Sequence, residues 1–237
     1  MLSSYKPRNY KAQIVYELGT RIVQGSYQEG EQLPVEENLA KEFGVSRPIV
    51  REATKILASM GLLTAKPRVG TLVTSRKCWN LMDDDVLTWI INSKNNEQFL
   101  DMMFEVRSAI EPKAAALAAE KASDEDIINI YEAWRDMAEV NSLEESFEPD
   151  LRFHVSIFQA SQNEFIQFIG RTLCKALMHS FELTTWDKKL YQDAVVGHKA
   201  VYDAIAARDP VQAQQAVLSL LALSRNNFDL REDAPAV

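Results

Sequence analysis

The stretch from 44 to 63, GVSRPIVREATKILASMGLL, restricts the possible folds of this chain more than any other. Val45, Ile49, Val50, Ala53, Ile56, Leu57 and Met60 recur at three- and four-residue intervals, so one helix face buries while Arg47, Arg51 and Lys55 project from the others. Ser46 suits an N-cap, Pro48 fits a first helical turn, and Gly61 is placed to end the helix in a left-handed conformation. The spacing predicts a helix over 47–60. Upstream, LPVEENLAKEF puts Leu39, Ala40 and Phe43 on one face, and Gly44 sits where the chain turns sharply into the next helix. Downstream, LLTAKPRVGTLVT alternates apolar and polar residues around Pro67 to Gly70, the pattern of a two-stranded hairpin. Helix, turn, helix and hairpin together predict a winged helix-turn-helix. Ile14, Leu18, Ile22 and Val23 supply its first helix within 10–24.

A basic helix N-terminus of this kind presents free backbone N–H groups to a phosphate, and Arg47 can pair bidentately with guanine O6 and N7. Arg51, one turn on, reaches a base edge or the backbone. The competing reading is a solvated helix face in which Arg47 and Arg51 are balanced by Glu42 and Glu52. Between Ile22 and Val73 the elements G-x-Y-x-x-G-x-x-L-P, L-A-x-x-x-G-V-S-R-x-x-V-R-E-A, L-x-x-x-G-L-L and G-T-x-V follow in order. This run resembles the DNA-binding domain of GntR-family transcription regulators. The resemblance implies a recognition helix in the major groove and a wing tip near the minor groove. It also implies DNA contacts from Ser46, Arg47, Pro48 and Arg51 on the helix and from Arg68 and Gly70 on the wing. At one position the pattern departs: many relatives carry an arginine after the glutamate of L-P-x-E, whereas Glu36 is followed here by Glu37.

The net charge of −8 argues against a simple nucleic-acid coat, and its distribution sharpens the point. Residues 1–75 hold ten basic and seven acidic side chains, +3, which leaves −11 for the remainder. A basic head on an acidic body restricts phosphate binding to one surface. Lys6, Arg8 and Lys11 form a short basic arm that either touches phosphate or is mobile. No apolar run approaches a membrane span and residues 1–10 lack a signal-peptide core, so the expectation is a cytoplasmic protein with no membrane partner. Cys78 and Cys174 are isolated, which offers neither a disulfide framework nor a C-x-x-C metal site.

The polar and acidic stretch SRKCWNLMDDD reads as a linker over 76–84, stapled by Trp79 and Leu81, ahead of a short helix from about 84 to 92. Domains are thus expected at 1–75 and 85–230, with a tail over 231–237. Amphipathic periods over 97–121, 124–140, 143–161, 164–186, 188–207 and 210–228, with few glycines and no strand pattern, predict an antiparallel helical bundle and a mainly α protein. E-V-R-x-x-I-E-P at 105–112, D-L-R-F-H at 150–154, Ser161-Gln162-Asn163 and H-K-A-V-Y-D-A-I-A-A-R-D-P at 198–210 resemble the FCD effector-binding domain of the FadR subfamily. The stretch W-N-L-M-D-D-D-V-L-T-W further resembles a linker of its sugar-acid-responsive group, which includes galactonate operon repressors.

Asp150 and His154, four apart, stand on one helix face with Cβ atoms about 6 Å apart, from which both can reach one divalent ion. The FCD resemblance implies a polar pocket, a third ligand from His198, and a carboxylate clamp from Arg107. It places Leu220 where metal-binding relatives have a further histidine, leaving three ligands for a Zn²⁺-like ion and a shell completed by water or effector. The plainer alternatives are a hydrogen-bonded core histidine at His154, a helix cap at Asp150, and an internal ion pair of Arg107 with Glu105 or Glu111. His179 matches no ligand position, and Thr184, Thr185 and Trp186 either line a pocket or belong to the core.

The resulting expectation is a homodimeric, DNA-binding transcription repressor that reads a palindromic operator in double-stranded DNA. Its effector would be a small carboxylate, a sugar acid such as galactonate, held by Arg107, Asp150, His154 and His198. Two other classes compete: a metal-dependent enzyme in which Asp150, His154 and His198 activate water, and an architectural DNA-binding protein without effector.

Overall fold

The computed structural model describes residues 9–93, 97–140, 142–184 and 187–232. Lys6, Arg8, Thr185 and Trp186 lie outside these residues, as do the side chains of His179 and Thr184. The chain divides into two compact units, Met1–Asn96 and Glu97–Val237.

In the first unit, α1 (Tyr10–Val23), α2 (Glu36–Phe43) and α3 (Arg47–Ser59) precede a hairpin of β1 (Leu63–Lys66) and β2 (Gly70–Val73). The apolar stripes meet as their spacing requires: Ile14, Leu18, Ile22, Leu39, Val50, Ala53 and Leu57 are all buried. Gly44 ends α2 in the left-handed region (φ 65°), which allows the tight turn into α3. Ser46 has the extended N-cap backbone, but its hydroxyl makes no capping bond, so the expected cap is geometric only. The strands pair antiparallel from Leu63 opposite Val73 to Lys66 opposite Gly70. A bridge from Gln32 to Leu72 ties the wing to the loop before α2.

The expected linker is fastened to this unit. Asn80 N–H donates to the Met60 carbonyl at 2.9 Å, and the Cys78 carbonyl lies where a side chain on Gly61 (φ 82°) would project. Leu81, expected to act as a staple, is 40% exposed. Helix α4 (Asp84–Ile91) begins at an Asp83 cap and buries Val86, Leu87, Trp89, Ile90 and Ile91. Sequence reading assigns this helix to the second domain; in the structure it packs on α1, and the compact unit runs to Asn96. The reason is steric fit. The Trp89 ring occupies the space beside Gly19, where a Cβ would lie 2.3 Å from it, and Tyr16 meets the ring edge-on.

The second unit is all helical: α5 (Glu97–Lys121), α6 (Asp124–Glu139), α7 (Leu143–Ala160), α8 (Glu164–Thr184), α9 (Lys188–Ala206) and α10 (Pro210–Glu232). These match the expected spans closely because the breaks carry explicit caps. Ser123 and Asp126 form a reciprocal capping box, while Ser142 and Asp187 cap α7 and α9. Ala114, Ala115, Ala118 and Ala119 line α5, and such small residues let neighbouring helices approach closely around Phe153, Ile157, Val201 and Val217.

Gly19→Ala is expected to destabilise the first unit by about 1–3 kcal/mol through overpacking against Trp89, even though alanine favours helix. Urea unfolding followed by tryptophan fluorescence measures this. An unchanged midpoint would mean that Trp89 moves aside freely.

Candidate functional sites

The first candidate site is the outer face of α3 and the wing. Ser46, Arg47, Pro48 and Arg51 are all exposed along the first turns of α3, and Arg68 and Gly70 are exposed on the wing. Arg68 has a positive φ (64°) at the tip of the hairpin. Gly70 is required where it stands, since a Cβ there would meet the Gln32 side chain at 2.5 Å. The neutralising partners supposed for the solvated-face reading are engaged elsewhere: Glu42 pairs with Arg21 at 2.5 Å and Glu52 with Lys55 at 2.8 Å. Glu37 pairs with Lys41 at 3.0 Å. Arg51 instead binds Glu36 through two edges of its guanidinium, Nε to Oε1 at 3.0 Å and Nη2 to Oε2 at 2.8 Å. Hydrogen bonding from Arg51 holds the Glu36 carboxyl below its usual pKa.

The second candidate site lies inside the helical unit. Asp150 and His154 stand one turn apart on α7, and His198 comes from α9; one ligand atom from each lies within 4.8 Å of the others. His198 Nε2 is 3.2 Å from Asp150 Oδ1 and 3.4 Å from His154 Nε2. His198 Nδ1 lies 2.7 Å from the Ala194 carbonyl, which accepts its proton and so turns Nε2 toward Asp150 and His154. Burial holds His154 in its neutral form by lowering its pKa, against the nearby carboxylate of Glu111. Burial alone would raise the Asp150 pKa; the hydrogen bond from His198, with the charge of Arg107, outweighs it and lowers the value. One carboxylate and two imidazoles thus converge, the kind of cluster that a divalent ion would join. The donor set of two imidazoles and one carboxylate suits Zn²⁺ or a similar ion. Asp150 is interior to α7, whose cap is Ser142, so it is not the helix cap of the plainer reading.

Arg107 and Glu111 on α5 are also buried, at 6% and 4% exposure, and paired: Arg107 Nε donates to Glu111 Oε1 at 2.6 Å. Among the described residues the Nη groups of Arg107 make no hydrogen bond. The other Glu111 oxygen faces His154 Nδ1 at 3.5 Å. Glu111 is the site residue that sequence reasoning treats only as an alternative partner of Arg107; the signal for it is the four-residue spacing in E-V-R-x-x-I-E-P. A small cavity of about 10 Å³, room for about one water, lies between Glu111, His154, Phe153, Ile157, Val201 and Leu220. Its wall is mostly apolar, where a polar pocket is expected. Leu220 packs over Gly197, next to His198, so the position expected to lack a fourth ligand does border the cluster with an apolar side chain. Cys174 is buried, which pushes its thiol up to about 12, and Cys78 is exposed.

Residues 10–73 match the bacterial regulatory proteins of the gntR family, and residues 102–223 match the FCD domain. The chain is 35% identical over 219 residues to the galactonate operon transcriptional repressor of Escherichia coli (strain K12), covering 91% of this chain and 95% of that one. The chain belongs to the GntR family. It is similar also to the uncharacterized HTH-type transcriptional regulator YieP of the same strain, at 34% identity over 223 residues covering 90% of this chain and 93% of that one. The fold is shared with a Listeria monocytogenes protein described as Lar, which controls expression of the agr system, at TM-score 0.65 and 20% identity over 95% of this chain and 100% of that one. This GntR chain is therefore a DNA-binding transcription regulator with a winged head and an FCD domain. The enzyme alternative finds no support in these relatives. Among the described residues no helix is long and apolar enough to cross a membrane.

Breaking the buried pair should be costly, and replacing it should not. Glu111→Leu alone is expected to destabilise the FCD domain by about 3–5 kcal/mol, because Arg107 is left buried and unpaired. Arg107→Met combined with Glu111→Leu should recover most of that loss in chemical denaturation. A double variant no more stable than the single one would show that the loss comes from packing.

Proposed function

We propose that this GntR regulator is a homodimeric repressor acting in the cytoplasm, whose affinity for palindromic operator DNA is set by a small carboxylate of the sugar-acid class, galactonate first. The observation that carries this reading is the convergence of Asp150, His154 and His198 beside the buried guanidinium of Arg107. The choice of acid is supported by the similarity, at 35% identity, to a galactonate operon repressor.

Asp150, His154 and His198 would hold a divalent ion such as Zn²⁺, which when bound supplies a Lewis-acidic centre for an effector oxygen. Arg107 offers its Nη edge to the effector carboxylate, while Glu111 fixes the plane of the guanidinium from the Nε side. The DNA contacts fall to Ser46, Arg47, Pro48 and Arg51 and to Arg68 and Gly70, with two heads on a two-fold body reading two half-sites. A preference of the effector for one arrangement of the heads, about 1–3 kcal/mol, changes operator affinity by about 5–150-fold.

Thermal unfolding of metal-stripped protein with galactonate, with and without Zn²⁺, tests the pocket. A ligand at a hundred times its dissociation constant stabilises the native state by about 2.7 kcal/mol. The expected result is a shift that needs both additions. A shift without metal would remove the ion from the proposal, and no shift with galactonate under either condition would remove the acid.

Arg107→Lys keeps the charge beside Glu111 but loses the planar fork, so operator binding should persist while release by effector is lost. Release at the wild-type effector concentration would show that Arg107 is not the clamp. Arg47→Ala is expected to cost about 1–3 kcal/mol of discrimination between operator and other sequences in a binding titration. Equal discrimination by the variant would take the base contact away from Arg47.

A further inference from the structure

The exposed face of α3 carries an interaction that neither the family match nor the motif assigns a purpose. Glu36 is the first residue of α2 and Arg51 lies in the second turn of α3, fifteen residues on, and the two are brought together by the turn at Gly44. The carboxylate takes the side edge of the guanidinium: Nε donates at 3.0 and 3.2 Å to its two oxygens and Nη2 at 2.8 Å to Oε2. An arginine has five N–H donors in one rigid plane, and this pairing uses the Nε edge. Among the described residues the end edge, Nη1 together with the outer hydrogen of Nη2, makes no hydrogen bond. That edge is the one suited to guanine O6 and N7. The pair is solvent-facing, with the Arg51 side chain 55% exposed and that of Glu36 31% exposed, so it is not there to stabilise a core. Arg47, by contrast, makes no side-chain hydrogen bond or ion pair among the described residues.

We propose that Glu36 is a positioning residue for DNA reading: it holds Arg51 with its end edge presented to a base and offsets its charge, so that Arg51 discriminates sequence and contributes little to non-specific phosphate binding. Two physical consequences follow. A fixed guanidinium loses less rotamer freedom when it meets a base, which strengthens the correct contact. A neutralised one releases fewer counterions, which weakens binding to arbitrary DNA. Glu36 therefore raises the ratio of specific to non-specific affinity from both sides. The inference rests on the DNA-reading role of the α3 face.

The test compares wild type and Glu36→Gln in the full-length protein on two probes. One is a duplex that the wild type enriches from a random pool, and the other is a random-sequence duplex of equal length. Glutamine keeps the shape but loses the charge. In Glu36→Gln the random duplex should bind more tightly, with its salt dependence steeper by about 0.9 in log–log slope, the value for one added phosphate contact. The specific-to-random ratio should fall roughly tenfold. In an Arg51→Ala background the same substitution should change neither quantity.

Several outcomes overturn the inference. Slope and ratio unchanged in Glu36→Gln would show that the ion pair has no part in recognition. A parallel loss on both probes with a lowered melting temperature would make Glu36 structural only. An equal effect without Arg51 would send the influence through another group. A wild type that enriches no sequence from the pool would remove the DNA-reading role of this face itself, and that failure is visible before any variant is made.

Discussion

Two opposite charges inside an apolar helical bundle are the constraint on which the second unit depends. Removing Arg107 and Glu111 from water is penalised by several kcal/mol per ion, and their mutual hydrogen bond at 2.6 Å offsets part of that cost. The same carboxylate turns its second oxygen toward His154, so the acid on α5 is electrostatically linked to the ligand cluster on α7 and α9. The alanine face of α5 brings its backbone close enough for this, and the side chains of Phe153 and Leu220 shape what space is left.

The first unit solves a different problem, the presentation of charge to solvent without collapse onto neighbouring acids. Residues 1–75 carry seven acidic side chains among ten basic ones, and on an arbitrary surface these would neutralise one another. The structure distributes the pairings: Glu42 to Arg21, Glu52 to Lys55, Glu37 to Lys41. Among the described residues Arg47 makes no ion pair at the N-terminus of α3, where the free backbone N–H groups add to its field. Glu37, standing where an arginine is expected from the resemblance, is balanced locally by Lys41 and places no free negative charge on that face.

The helices were legible because their ends are chemically marked. Ser123 and Asp126, Asp187, Gly44 and Pro210 announce starts and stops within the sequence itself, and the apolar periods between them leave one face to bury. The partner of that face is a tertiary fact. Helix α4 reads as amphipathic from sequence, but its allegiance to α1 is decided by Gly19 yielding room to Trp89, and a lone glycine in a helix carries no label saying what fills its place. The cluster of Asp150, His154 and His198 was reachable because one pair is local and the motif supplies the third member. Ion-pair partners were not: Arg107 had two acids within four residues, and the choice of Glu111 over Glu105 depends on which side of α5 faces the bundle. The Glu36 to Arg51 pair depends on the angle between α2 and α3, which no local pattern encodes.

The two candidate sites share one arrangement of arginine. Arg107 and Arg51 are both held at Nε by a carboxylate of the same chain, and in both no hydrogen bond at the far edge of the fork is seen among the described residues. A lysine could not be divided in this way, because its ammonium is a point charge with no separate edges. The internal acid fixes the plane of the guanidinium before the partner arrives, so less conformational freedom is lost on binding. It also cancels much of the charge, so an anion that merely seeks positive potential gains little. What remains favourable is a partner with two acceptors at the correct spacing, a carboxylate within the bundle or a guanine edge at the head. For a regulator that must release its partners as readily as it takes them, modest affinity with strict geometry is the useful combination, and an arginine paired along one edge supplies it.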